Sequence, residues 1–305
     1  MNLMSPVVRE RIVGYGSLLL AIILFSTIEV TSKMANAGVP PFWLAFIRFF
    51  FTGLILLAPA LNLIRLRARP LTAHDWRILG GLGFIGVSVC LGLYHVAITQ
   101  MRANVSAVIF SSNPAFVVLF SPWILGERPT RTKMAAVFIG LCGISIFVVN
   151  KGLEIQSFWG LLCLIGSLIT FALYTVLCKK YMSRFGAMVI TCFAGLLGSL
   201  LFLPAAWILE GNPYPALLHW PWWTVGYLTV VATALGYLAY FYGLVNVSAS
   251  HGSMFFFLKP VLASLFAWLL LGEPVTWKIA AGTVLVLSSL VFALLPGPRR
   301  TVMPE

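Results

Sequence analysis

Lys259, Glu29 and Arg48 are ionisable residues set inside long apolar runs of a 305-residue chain. Charges in such places are expensive and are functional candidates by default. Lys259 stands about nine residues into the run 250–271, at roughly 13 Å of depth for a helical rise of 1.5 Å per residue. Its ammonium is too deep to reach either interface easily. Pro260 follows it and interrupts backbone hydrogen bonding, which leaves a carbonyl open to a ligand. A cation in that place suits the carboxylate of a small solute. The alternatives are a resting contact with Glu29 and a structural lysine tied to helix carbonyls. Asn113 also precedes a proline, Pro114, and adds an amide that can donate and accept.

Glu29 and Arg48 lie at similar depth on consecutive antiparallel runs. They read as a buried ion pair that locks the first run to the second. The competing reading makes Glu29 a protonatable group that couples solute export to proton entry. His95 and His251 lie near opposite ends of their runs, and free imidazole titrates near physiological pH; a hydrogen-bonded interface role is the plainer reading of both. Tyr94 and Tyr240 are placed to gate, with interfacial anchoring as the alternative. Tyr174, Tyr237 and Trp268 are placed to line an apolar cavity. Trp220, Trp222, Trp223 and the Phe49-Phe50-Phe51 run read as belt or lipid-facing residues.

Absent motifs narrow the chemistry. The sequence has no Walker loop, no H-E-x-x-H, no G-x-S-x-G and no Asp within an apolar run. No cofactor and no metal are expected. A membrane-embedded enzyme would need a catalytic constellation that is not there. The five cysteines are odd in number, form no C-x-x-C, and fall in apolar stretches as small packing residues.

The elements that must hold these residues are membrane spans. Hydrophobic residues make up 60% of the chain, charged ones 9%, and mean hydropathy is +0.99. Soluble domains carry about 25% charged residues, so a soluble enzyme, a disordered chain and a nucleic-acid module are all excluded. Ten apolar runs are long enough to cross: 12–35, 42–63, 77–99, 104–125, 132–149, 157–180, 187–209, 221–245, 250–271 and 276–295. They do not alternate every second residue, which excludes a β-barrel. Glu29 and the missing cleavage site argue against a signal peptide in the first. Net charge is +12, and fourteen of the twenty basic residues fall in the tails and in the loops after runs 2, 4, 6 and 8. That bias predicts a multi-pass protein of the plasma (bacterial inner) membrane with both termini cytoplasmic.

Self-comparison gives an ungapped repeat at an offset of 146 residues. Leu125-Gly126-Glu127 matches Leu271-Gly272-Glu273, Lys33 matches Lys179, Tyr94 matches Tyr240, and Pro114 matches Pro260. Asn113 and Lys259 are therefore mates. The chain divides into residues 1–150, holding spans 1–5, and residues 151–305, holding spans 6–10. Five is odd, so the second copy enters inverted, an arrangement used by secondary transporters for alternating access around a midplane site.

With Pro41 and Arg48 early in span 2, the Asn113-Pro114 span ending in Leu125-Gly126-Glu127, and the Pro260 span ending in Leu271-Gly272-Glu273, the sequence resembles the drug/metabolite transporter superfamily, specifically its EamA-type exporters. The resemblance covers the whole chain. It implies ten helices around a central cavity formed by helices 1, 3, 4, 6, 8 and 9, and export of small metabolites such as amino acids, or of drugs. The expected partners are a small-molecule substrate and the lipid bilayer, without nucleic acid. A channel or scramblase is the alternative, and saturable counterflow separates it from a carrier.

Overall fold

A computed structural model describes residues 6–34, 39–67, 70–100, 103–127, 130–150, 157–214, 220–271 and 277–294, and every regular element among them is helical. The first half holds α1 (Pro6–Met34), α2 (Pro41–Leu66), α3 (Ala73–Gly83), α4 (Cys90–Gln100), α5 (Ala103–Phe110), α6 (Asn113–Leu125) and α7 (Arg131–Asn150). The second holds α8 (Phe158–Glu210), α9 (Trp222–Tyr227), α10 (Gly236–Asn246), α11 (Ala249–Met254), α12 (Leu258–Leu271) and α13 (Trp277–Leu294). Six stretches among the described residues are long and apolar enough to cross a membrane: Arg9–Ile28, Pro41–Leu66, Ala73–Ala97, Val108–Leu125, Phe158–Glu210 and Trp222–Asn246.

The starts and stops follow ordinary helix chemistry. Pro41 opens α2 at a position whose N–H needs no helical partner. Thr72 and Asp75 form a reciprocal capping box on α3. Gly126 closes α6 in the left-handed conformation, with φ 70°. The 53 residues of α8 are too long for one crossing, at roughly 80 Å if straight. They are divided at Gly186, whose φ of 79° and ψ of 163° turn the chain sharply between two legs. Arg67 crowds this glycine and donates through Nη1 to Phe185 O at 2.8 Å, meeting a carbonyl that the turn exposes. The sequence places two separate runs here, 157–180 and 187–209; the first leg instead runs on to the turn itself.

Contacts between helix ends sort into two sets. Arg67 reaches Arg184 and Phe185, Asp75 pairs with Arg184, Glu127 meets Ala249 and Ser250, and Lys179 donates to Leu244 and Val245. In the other set Glu210 meets Phe42 and Trp43, and Ser157 donates to Gln100 at 2.6 Å. The same sorting is required by the alternating loops of the charge argument.

Four crossings depart from the α-helix. A π-helical turn occupies Phe84–Val89 and a second occupies Leu228–Leu235. A break at Ser111 and Ser112 separates α5 from α6, and a 3-10 turn at Phe255–Phe257 separates α11 from α12. The irregularities recur at the 146-residue offset of the sequence repeat: 84–89 falls on 230–235, and 111–112 on 257–258. Hydropathy drew each of these crossings as one continuous helix, because a π turn or a one-turn break does not change which residues are apolar.

The interior is aromatic and aliphatic. Two aromatic assignments are corrected by burial: Phe49 and Trp220, read as belt or lipid-facing, are 4% exposed and belong to packed clusters. Trp223 and Phe51 are exposed as expected. Cys142 is likewise exposed, whereas the other four cysteines are buried and free.

Gly83 of α3 and Gly198 of the second α8 leg meet backbone to backbone. A Cβ at Gly198 would overlap Gly83 O and lie 2.7 Å from Val87 Cβ. Gly198→Ala should lower the melting temperature in detergent, in line with about 1–3 kcal/mol for overpacking. Gly16→Ala, where a Cβ meets nothing within 4 Å, should leave it unchanged or slightly raised.

Candidate functional site

The two breaks in the repeat bring the best polar candidates to equivalent places. Asn113 is the first residue of α6, directly after Ser111 and Ser112, and is fully buried. Neither its Oδ1 nor its Nδ2 has a hydrogen-bond partner among the described residues. A buried amide left in that condition costs free energy unless a further group completes it. Asn113 stands at the start of a 13-residue half-helix, whose first N–H groups carry partial positive charge. Lys259 is the second residue of α12, just past the 3-10 turn, and is 8% exposed. Its ammonium is thus withdrawn from the lipid-facing surface. Both α11 and the 3-10 turn pack against α6, so the two breaks are neighbours in the fold.

Arg48 is half-buried and donates through Nε to Thr233 Oγ1 at 2.9 Å. The π turn makes this acceptor available. Thr233 Oγ1 itself donates to Leu228 O, five residues back, at 2.7 Å. One turn along, Thr52 donates to Thr229 O at 3.1 Å. Arg48 and Thr52 therefore tie α2 to the π segment of the other half. The side chain of Glu29, expected as the partner of Arg48, lies outside the described residues, as does that of Lys33. His95 is buried, and its Nδ1 lies 2.7 Å from Leu91 O. A carbonyl only accepts, so Nδ1 carries the proton. The ring packs on Phe42 and on Tyr94. His251 Nδ1 lies 2.6 Å from Ser248 Oγ at the start of α11.

The aromatic candidates form one network rather than separate walls and gates. Tyr94 packs on Phe110, Phe110 on Phe171, Phe171 on Phe256, and Phe256 on Tyr240. Four ring contacts thus join the two expected gating tyrosines. Tyr240 is completely buried, and its hydroxyl faces that of Thr175, also buried. Tyr174 packs edge-on to Phe241 and sits against Gly86 of the first π turn, which leaves no room for a Cβ there. Tyr237 meets Phe25 and Phe49. Trp268 differs from these, with half of its surface exposed.

A sequence model described as the EamA-like transporter family matches residues 12–149 and again residues 158–295. The chain belongs to the EamA-like transporter family. It is a multi-pass membrane protein from a transporter family, not an enzyme. An uncharacterized transporter of Clostridium kluyveri is 28% identical over 286 residues, covering 90% of each chain. One from Archaeoglobus fulgidus is 30% identical over 209 residues, covering 68% of this chain and 73% of its own. The uncharacterized transporter YetK of Bacillus subtilis is 27% identical and covers 88% of this chain and 82% of its own. A solved crystal structure superposes with a TM-score of 0.77 at 20% identity, covering 94% of this chain and 96% of its own, and shares the fold.

Within this EamA-like transporter, sequence reasoning passed over three groups that the structure makes prominent. Thr233 is the acceptor for Arg48, and a threonine in an apolar run gives no signal of a distant partner. Glu127 and Glu210 lie just past the predicted runs 104–125 and 187–209; each accepts two backbone N–H groups of a helix in the other half. For Glu127 a signal was present, since the Leu-Gly-Glu ending is repeated.

Two measurements test the polar sites. Asn113→Leu removes an amide that has no partner among the described residues, so it should raise the melting temperature while lowering transport. A drop in stability would mean that the amide is satisfied within the protein. Thr233→Val should lower the melting temperature, and a double-mutant cycle with Arg48→Met should return a coupling of about 1 kcal/mol or more. Additive losses would show that the pair does not bind α2 to the π segment.

Proposed function

We propose that this transporter is a secondary active exporter of small amphipathic metabolites, with amino acids as the leading class, working by alternating access. The observation that carries the reading is the recurrence, at one offset, of a helix break followed by a buried polar residue: Asn113 in the first half and Lys259 in the second. Discontinuous spans related by inverted repeats are where secondary carriers hold their solute. In this reading the chain crosses ten times, as two inverted sets of five, residues 1–150 and 151–305, with the two legs of α8 as separate crossings. The paired π turns and the two family matches support the duplication.

The fourteen basic residues of the tails and of the loops after runs 2, 4, 6 and 8 support a bacterial inner-membrane protein with both termini cytoplasmic. Lys259 holds the substrate carboxylate, Asn113 completes the polar contact, and Tyr174, Tyr237 and Trp268 receive the apolar part. Tyr94 and Tyr240 gate the two ends of the aromatic network. Arg48 and His95 serve positioning; Glu29 either braces Arg48 or carries the coupling proton.

Protein reconstituted in liposomes should take up labelled amino acids saturably and show counterflow, and a pH gradient tests the coupling. Failure with every amino acid would remove the leading class, and unsaturable flux without counterflow would leave a channel. Lys259→Met should keep the fold and weaken transport of a carboxylate substrate, while a decarboxylated amine analogue is affected much less. Equal loss for acid and amine would remove Lys259 as the carboxylate site.

A further inference from the structure

The carboxylate of Glu127 is used in an unusual way for the end of a membrane helix. Gly126 stops α6 in the left-handed conformation and sends the chain outward. The next side chain reaches across to the helical segment that begins at Ala249. Its Oε1 accepts from Ala249 N at 3.0 Å, and its Oε2 accepts from Ser250 N at 3.3 Å and from Ser250 Oγ at 2.9 Å. Ser248 meets the next two N–H groups, His251 N through its hydroxyl and Gly252 N through its carbonyl. Glu127 thus completes, from the other half of the chain, a cap that a helix ordinarily finds in its own sequence. Lys133, Lys179 and His251 lie within reach of its charge.

Around this cap the bundle end is tightly shut. A Cβ at Gly252 would overlap Leu244, and one at Gly14 would lie 3.0 Å from Val247. Glu210 makes a superficially similar contact with Phe42 N and Trp43 N, both at 2.9 Å. That contact lies at the opposite end and continues an extensive face between α2 and α8, in which Gly53 already meets Leu196 and Cys192. Glu127 instead joins α6 to α11, the two segments that carry Asn113 and lead into Lys259. Its bond spans the parts that must separate if the polar site is to open at this end.

We propose that the Glu127 carboxylate on the N–H groups of Ala249 and Ser250 is the latch that keeps the cytoplasmic end closed, and that the latch breaks each time the site opens to that side. This rests on the alternating-access reading, but it is tested through closure alone and without any substrate. Ser253 is fully buried one turn beyond Ser250 and serves as the reporter. The protein carries Ser253→Cys and Cys142→Ser, sits in lipid nanodiscs so that both faces meet the reagent, and is treated with a hydrophilic maleimide. Adding Glu127→Gln should raise the labelling rate about tenfold, since a charge-assisted contact becomes a neutral one. Glu210→Gln should leave labelling unchanged while lowering the melting temperature.

Unchanged labelling in Glu127→Gln at an unaltered melting temperature overturns the latch. Equal acceleration by Glu127→Gln and Glu210→Gln also overturns it, because that is general loosening. If Glu127→Gln does not fold, Ser250→Ala decides: it removes one of the three contacts, so a two- to threefold acceleration supports the latch and none overturns it. Failure of all amino-acid transport with the labelling result intact would remove the proposed substrate class and leave the latch standing.

Discussion

A helix that stops, bends or widens inside a membrane protein leaves backbone N–H and C=O groups that lipid cannot satisfy. The fold is arranged around supplying them. Glu127 and Glu210 cap the first N–H groups of helices in the opposite half; Lys179 and Arg67 meet the last carbonyls of others. Ser88 donates to Gly198 O at 2.8 Å beside the first π turn, and Thr233 serves the second. Few charges are available in this sequence, and several of those at helix ends are spent on backbone rather than on one another. The Asp75–Arg184 pair is the exception at the described ends, and even there Asp75 caps its own helix as well.

Against that background Asn113 stands out. The same chain that finds a partner for so many helix-end groups leaves both atoms of a fully buried amide without one among the described residues. The buried hydroxyls of Thr175 and Tyr240 face each other from the neighbouring helices α8 and α10. Polar capacity is therefore held in reserve in the apolar interior, beside rings that pack closely and provide no partner. A fold optimised only for stability would have filled these positions with Leu, Val and Phe.

The large features were legible because they depend on composition and period. Continuous apolar runs marked an all-helical, multi-pass membrane protein, and basic residues in alternate loops gave an arrangement with which the contacts between helix ends agree. The 146-residue offset anticipated where the irregularities would recur, although not that they existed. What hydropathy missed was local geometry. Nothing in Phe84–Val89 or Leu228–Leu235 distinguishes a π turn from an α turn by composition. The first leg of α8 ran past its expected end because Lys179 and Arg184 find partners there and do not need a loop. Phe49 and Trp220 were placed outside because an aromatic residue near a span end is equally at home in a belt or in a packed interface. The pairing of Arg48 with Thr233 joins residues far apart in sequence, and only the fold brings them together.

The π turns also have a geometric effect on everything that follows them. An α-helix advances about 100° per residue, and a π turn uses i→i+5 bonds in place of i→i+4. Each such turn therefore absorbs one extra residue and resets the angular phase of the helix by roughly that amount. In the crossing from Trp222 to Asn246, Thr229, Ala232 and Thr233 face inward before or within the reset, and Tyr237, Tyr240, Phe241 and Leu244 face inward after it. A single helical wheel drawn through all of these residues spreads them over about 180°, whereas each group alone covers about 100°. Any substitution scan of this crossing, or of its counterpart through Phe84–Val89, has to be plotted on two wheels offset from each other at the turn.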